Sequence, residues 1–146
     1  MNRAIELSIQ NVETNNGGPF GAVVVKDNVI IGEGVNSVVK NHDPSAHAEV
    51  MAIRAAADKL KTFDLSECVI YSSCQPCSMC YSAIRWARID KIFYSNTRYD
   101  AAEIGFSDVE IYHEIQNNEM KIEKMYFPES KKAFKLWMTD KNNIHY

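Results

Sequence analysis

An α/β fold, with a mixed five-stranded sheet between two layers of helices, is predicted for this chain by one antiparallel hairpin and two strand-to-helix-to-strand passes. The hairpin is read from two β-branched runs, Gly21 to Lys26 and Val29 to Gly34, joined through Asp27-Asn28. The first pass leaves it through a helix carrying His47 and Glu49 and returns at a strand from Cys68 to Ser72. The second leaves through a helix opened by Pro76 and returns at Lys91 to Ser95. Each pass implies parallel pairing, and ligand sites in such sheets collect beyond the carboxyl ends of strands.

Taken in order, residues 2–14 read as a helix, with Ile5, Ile9 and Val12 at i, i+4 and i+7. Asn15-Asn16-Gly17-Gly18-Pro19 stops it. Asp43-Pro44 marks entry to the next helix, which runs to about Lys61 with Ala46, Val50, Ile53, Ala57 and Leu60 as its apolar stripe. Pro76 fits the first turn of the helix after it, whose Cys80, Ala83, Ile84 and Ala87 form a face of small residues suited to packing on a sheet. Trp86 and Phe106 are read as core residues. Beyond Tyr94 the pattern predicts a helix from Asp108 to Gln116, the fifth strand from Lys121 to Phe127, and a helix from Glu129 to about Lys141 with Phe134, Leu136 and Trp137 available for burial.

A chain of 146 residues holds one domain with a real core, taken as residues 1–146. Its 46% hydrophobic and 24% charged content is that of an ordinary globule, which excludes a disordered or low-complexity protein. Arg3, Glu6 and Gln10 interrupt the first twelve residues, so a signal-peptide core is not expected there, and no later run could span a bilayer. Three of the four cysteines fall within seven residues, which suggests metal chemistry in a reducing, cytoplasmic setting rather than a disulfide scaffold. A net charge of −3 argues against a nucleic-acid partner, and Lys131, Lys132 and Lys135 read as a solvated face.

Cys77 and Cys80, three apart at the start of a helix, lie on one face and can grip a single soft ion, with His47 as third ligand. Thiolates and imidazole together suit Zn²⁺, and three protein ligands leave a fourth position open for water, the pattern of a catalytic site. Glu49 falls on the buried side of its helix, in the first turn, where it can accept and return a proton without being a ligand. The rivals are a closed site of three cysteines and one histidine that adds Cys74, an iron–sulfur centre, or a non-catalytic metal-stabilised module. None of them explains a glutamate two residues after the histidine on the apolar face. Cys74 is read instead as a buried thiol at a strand end.

His-x-Glu followed by Pro-Cys-x-x-Cys resembles the signature of the zinc-dependent cytidine deaminase superfamily, whose fold is a three-layer α/β/α sandwich. Within it, Gly17-Gly18-Pro19-Phe20-Gly21-Ala22, Ala83-Ile84-Arg85-Trp86-Ala87-Arg88 and the segment from Asp100 to Asp108 are similar to the bacterial guanine deaminases. Asp43-Pro44-Ser45-Ala46-His47-Ala48-Glu49 is shared with the tRNA adenosine deaminases. The resemblance implies hydrolysis of a small purine, guanine, to xanthine and ammonia. Another aminated purine, a triazine, a nucleoside or a tRNA adenosine is the alternative substrate. It implies that Asn36 hydrogen-bonds the purine, that the backbone of Ala48 contacts it, that Asp108 helps to orient it and that Phe20 lines the pocket. A turn role for Asn36 and a helix N-cap role for Asp108 stay open beside these. It also implies a homodimer in which the C-terminal segment is exchanged and closes over a neighbouring site. Gln75 and Ser78 depart from the Glu and Pro usual in the family, outside the ligand set.

Overall fold

The computed structural model describes residues 1–117, 123–125, 127–139 and 144. Helix α1 (Asn2–Glu13) leads into strands β1 (Gly21–Lys26) and β2 (Val29–Val35), a short α2 (Val38–Asn41), α3 (Ala48–Leu60) and β3 (Val69–Cys74). There follow α4 (Ser78–Trp86), β4 (Lys91–Asn96), α5 (Arg98–Glu103), α6 (Val109–Asn117), a 3-10 turn and α7 (Lys131–Thr139). Short α2 and α5 were not anticipated. The Thr97 hydroxyl accepts from the Asp100 N–H, and the Asp100 carboxylate accepts from the Thr97 N–H at 2.6 Å. This capping box was a signal for α5 available in the sequence.

The β1–β2 hairpin turns through Asp27 and Asn28, both with positive φ (49° and 61°), the type I′ geometry that matches strand twist. The strand order is β2-β1-β3-β4, with β1 antiparallel to both its neighbours and β3 parallel to β4. Both expected passes therefore run parallel, but only the second joins neighbouring strands, because β1 lies between β2 and β3. The expected five-stranded sheet is corrected to four strands among the described residues. Lys121, Ile122 and Tyr126 of the expected fifth strand lie outside the described residues. Glu123, Lys124, Met125 and Phe127 are irregular and exposed, with no ladder partner to desolvate them.

One sheet face packs Ala22, Val24, Ile31 and Ile70 against Ala48, Ala52 and Ala56 of α3 and Ile84 of α4. The other packs Val23 against Ala4 and Leu7 of α1. In α1 the buried face is Ala4, Leu7, Ser8 and Asn11, while Ile9 and Val12 are about half exposed, so the stripe expected from hydropathy is not the one that packs. The reason is close approach: Gly21 lies directly beneath the Ala4 carbonyl, the Ser8 N–H and the Leu7 β-carbon. Only small residues fit there.

Helix α3 repeats this on the other face. Gly32 and Gly34 of β2 sit under it, and a β-carbon at Gly34 would meet the Ala48 carbonyl and the Ala52 nitrogen. Ala48, Ala52 and Ala56 are fully buried there, whereas Val50, Ile53 and Leu60 are half-buried. Gly34→Ala is expected to cost about 3 kcal/mol by overpacking, lowering Tm by roughly 10 °C, since backbone rather than a pliant side chain stands in the way. A calorimetric Tm equal to the parent's would show that α3 can lift freely.

Candidate functional site

Both expected ligand segments fall on helix starts. His47 is the N-cap of α3 and Cys77 the N-cap of α4, each with extended backbone, and Cys80 lies one turn into α4. Pro76 precedes the cap rather than occupying the first helical turn, a shift of two residues from expectation. His47 Nδ1 is 3.6 Å from Cys77 Sγ and 3.5 Å from Cys80 Sγ. Ligand atoms at the usual Zn–S and Zn–N lengths form a tetrahedron whose N···S edge is about 3.6 Å. The trio therefore fits zinc in donor type and in spacing.

The electrostatics agree with that fit. Hydrogen bonding from Cys80 draws the Cys77 thiol down to about 4, His47 adds to the effect, and burial opposes it. Hydrogen bonding with Cys77 and burial push the Cys80 thiol up. Hydrogen bonding with Cys77 raises the His47 imidazole against the cost of burial. The pair therefore favours thiolate at Cys77, at the positive end of a helix.

Cys74 ends β3, is buried, and donates to the Thr97 carbonyl at 3.4 Å, with burial pushing its thiol up to about 11. It stands outside the trio, the one such group among the described residues. This geometry does not support a closed site of three cysteines and one histidine.

Glu49 is 6% exposed in the first turn of α3, on the buried side as expected. Burial raises its carboxyl above the ordinary range, partly offset by donors that include Ser72, whose hydroxyl reaches Oε1 at 3.0 Å. Ser72, fixed inside β3, positions the carboxylate, and nothing in the sequence pattern singled it out.

His47, Cys77 and Glu49 line a cavity of about 420 Å³, a size that accommodates small-molecule ligands, with Cys80 buried behind them. Asn36 lines it, 7% exposed, with its N–H bonded to the Phe20 carbonyl and its carbonyl to Asn11 Nδ2. Its Oδ1 accepts weakly from the Gly18 N–H at 3.4 Å, so the Nδ2 donor remains for a ligand. Phe20 packs edge-to-face on Phe106, with centroids 5.1 Å apart. Phe106, expected in the core, is 47% exposed on the cavity wall, delivered there by Gly105 at φ +89°, a conformation that glycine adopts without strain. Trp86, also expected in the core, is 69% exposed on α4.

Asp108 lines the cavity just before α6, and its Oδ2 is buried without a hydrogen bond. Arg98 Nη1 lies 4.0 Å from that oxygen, an ion-pair distance too long for a hydrogen bond. Ala48 differs from the other expected contacts: its side chain is buried in the core, so only its backbone, between the wall residues His47 and Glu49, can face a ligand.

A thiolate–imidazole trio beside a buried glutamate, at the floor of an aromatic-walled cavity, defines the class of a zinc-dependent hydrolytic deaminase. Residues 1–96 match the cytidine and deoxycytidylate deaminase zinc-binding region, and the chain belongs to that family. It is 51% identical over 115 residues to the guanine deaminase of Bacillus subtilis, covering 79% of this chain and 74% of that protein. The solved structure of the B. subtilis guanine deaminase superposes with a TM-score of 0.94 at 43% identity, covering 99% of this chain and 95% of that one. A tRNA-specific adenosine deaminase of Buchnera aphidicola is 36% identical over 112 residues, covering 77% and 74%. Among the described residues no helix is long and apolar enough to cross a membrane.

Proposed function

We propose that the chain hydrolyses guanine to xanthine and ammonia. The observation that carries this reading is the placement of a buried Glu49 beside the His47, Cys77 and Cys80 trio, on a cavity whose aromatic pair, amide donor and unbonded carboxylate oxygen suit a flat purine. The likeness to a guanine deaminase supports guanine over other bases. A bound zinc ion supplies Lewis acidity and lowers the pKa of water from near 16 to about 7. Glu49 takes the proton of the attacking water and returns it to the ring nitrogen next to C2, then takes the proton of the hydroxyl added at C2 and passes it to the departing amine. Water adds at C2, the C2–N bond breaks, and ammonia leaves. Phe20 and Phe106, packed edge-to-face on each other, give the ring an apolar wall and exclude water. Asn36, the Ala48 backbone and Asp108 hold its polar edges.

The same reading makes residues 1–146 one domain working as a cytoplasmic homodimer, with the C-terminal segment exchanged. Supporting it, α6 and α7 present Ile111, Ile115, Phe134 and Leu136 to solvent, and β4 exposes Phe93 and Tyr94. Such a run of apolar surface suits burial by a second copy. Sedimentation at micromolar protein is expected to show twice the 16.6 kDa chain mass, and a monomer would refute the exchange. Purified protein given guanine should yield xanthine and ammonia in equal amounts, and absence of xanthine would overturn the substrate assignment.

A further inference from the structure

Arg98 lines two cavities, the one described above and a second of about 470 Å³ formed with α4, β4 and α6. It opens α5, and its own N–H donates to Gln75 Oε1 at 3.3 Å, which fixes its backbone to the loop before α4. Its guanidinium carbon stands 4.6 Å from the ring centroid of Tyr112 on α6, in cation–π geometry. Nη1 lies 4.0 Å from Asp108 Oδ2, with the two side chains 18% and 16% exposed. That separation matters. A bidentate pair would saturate the carboxylate, whereas a guanidinium held on the Tyr112 face attracts Asp108 and leaves Oδ2 able to accept from a ligand N–H.

We infer that Arg98 is a positioning residue: stacked on Tyr112, it fixes the start of α6 against α5 and aims the unbonded oxygen of Asp108 at the base. A purine offers ring N–H donors to that oxygen, so the effect falls on binding more than on the bond-breaking step. The identity of the base rests on the guanine reading above. A lysine keeps the charge but lacks the planar face that stacks on Tyr112.

The test uses full-length, zinc-loaded protein with Arg98→Ala, Arg98→Lys, Asp108→Asn and the Arg98→Ala/Asp108→Asn pair. Arg98→Met, which keeps the volume of the stem, replaces Arg98→Ala if the latter fails to fold. Arg98→Ala should raise KM for guanine about tenfold with kcat changed less than about threefold, Arg98→Lys should recover only part of this, and the double variant should be no worse than Asp108→Asn. Backbone amides of residues 109–117 should exchange about tenfold faster in Arg98→Ala. An unchanged KM, or losses that add in the double variant, would overturn the inference. So would unchanged exchange in α6, a readout that needs no substrate. Parent protein that left guanine intact would overturn the substrate reading alone, and the exchange result would then decide the role of Arg98.

Discussion

Glu49→Gln is expected to keep its zinc and lose about 10³-fold or more in kcat. The isosteric amide fits the same buried slot, and its oxygen can still accept from Ser72, so the fold has no reason to move. What the amide cannot do is accept a proton from water and pass it on. In the proposed reaction Glu49 serves two proton movements in one turnover, and both would fail together. Metal analysis alongside steady-state rates checks this. A variant with full zinc and parental rates would remove Glu49 from the chemistry and revive the non-catalytic module.

Cys80→Ala is expected to abolish stoichiometric zinc binding and to take activity below detection. Cys80 is fully buried, one turn from Cys77 and 3.5 Å from His47, and two remaining ligands cannot hold zinc in competition with water. Because zinc binds the folded chain, its loss also removes a stabilisation that grows with the ratio of metal concentration to Kd, so Tm falls and stops responding to added zinc. In the parent, metal must displace the proton of the Cys80 thiol, and apparent zinc affinity should weaken as pH is lowered. Competition with a chromophoric chelator at several pH values measures both effects. Parental affinity in Cys80→Ala would contradict the ligand assignment.

Each half of the metal trio was legible in local spacing, two cysteines one helical turn apart and a histidine two residues before a glutamate at a helix start, while the meeting of the halves, thirty residues apart, rested on the resemblance and on the fold. The hairpin was equally local, set by Asp27-Asn28. The helix faces were misread for a physical reason shared by α1 and α3. Glycines at 21, 32 and 34 draw both helices so close to the sheet that Ala4, Ser8, Ala52 and Ala56 pack, while larger residues such as Ile9 and Val50 ride at the edges or outside. Hydropathy periodicity finds the greasiest stripe, and close packing selects the smallest one.

Phe106, Arg98 and Ser72 escaped for a different reason. Each reaches the site across the chain, from the segment after α5, the start of α5 and the interior of β3, and no fixed spacing to His47 or Cys77 marks them. Ser72 was hidden further by a strand whose neighbours are buried. The fifth strand was drawn over Lys121 to Phe127, a segment whose described residues have no pairing partner.

Guanine as a free base, with zinc at the His47, Cys77 and Cys80 site, is the substrate proposed for this cavity. The most direct measurement compares ammonia release from guanine with release from adenosine in a tRNA anticodon stem, on protein of known zinc content. Rapid release from guanine at about one zinc per chain, and none from the RNA, is the expected result. Release from the RNA with guanine untouched would contradict it and assign the cavity to the chemistry of the tRNA-specific relatives.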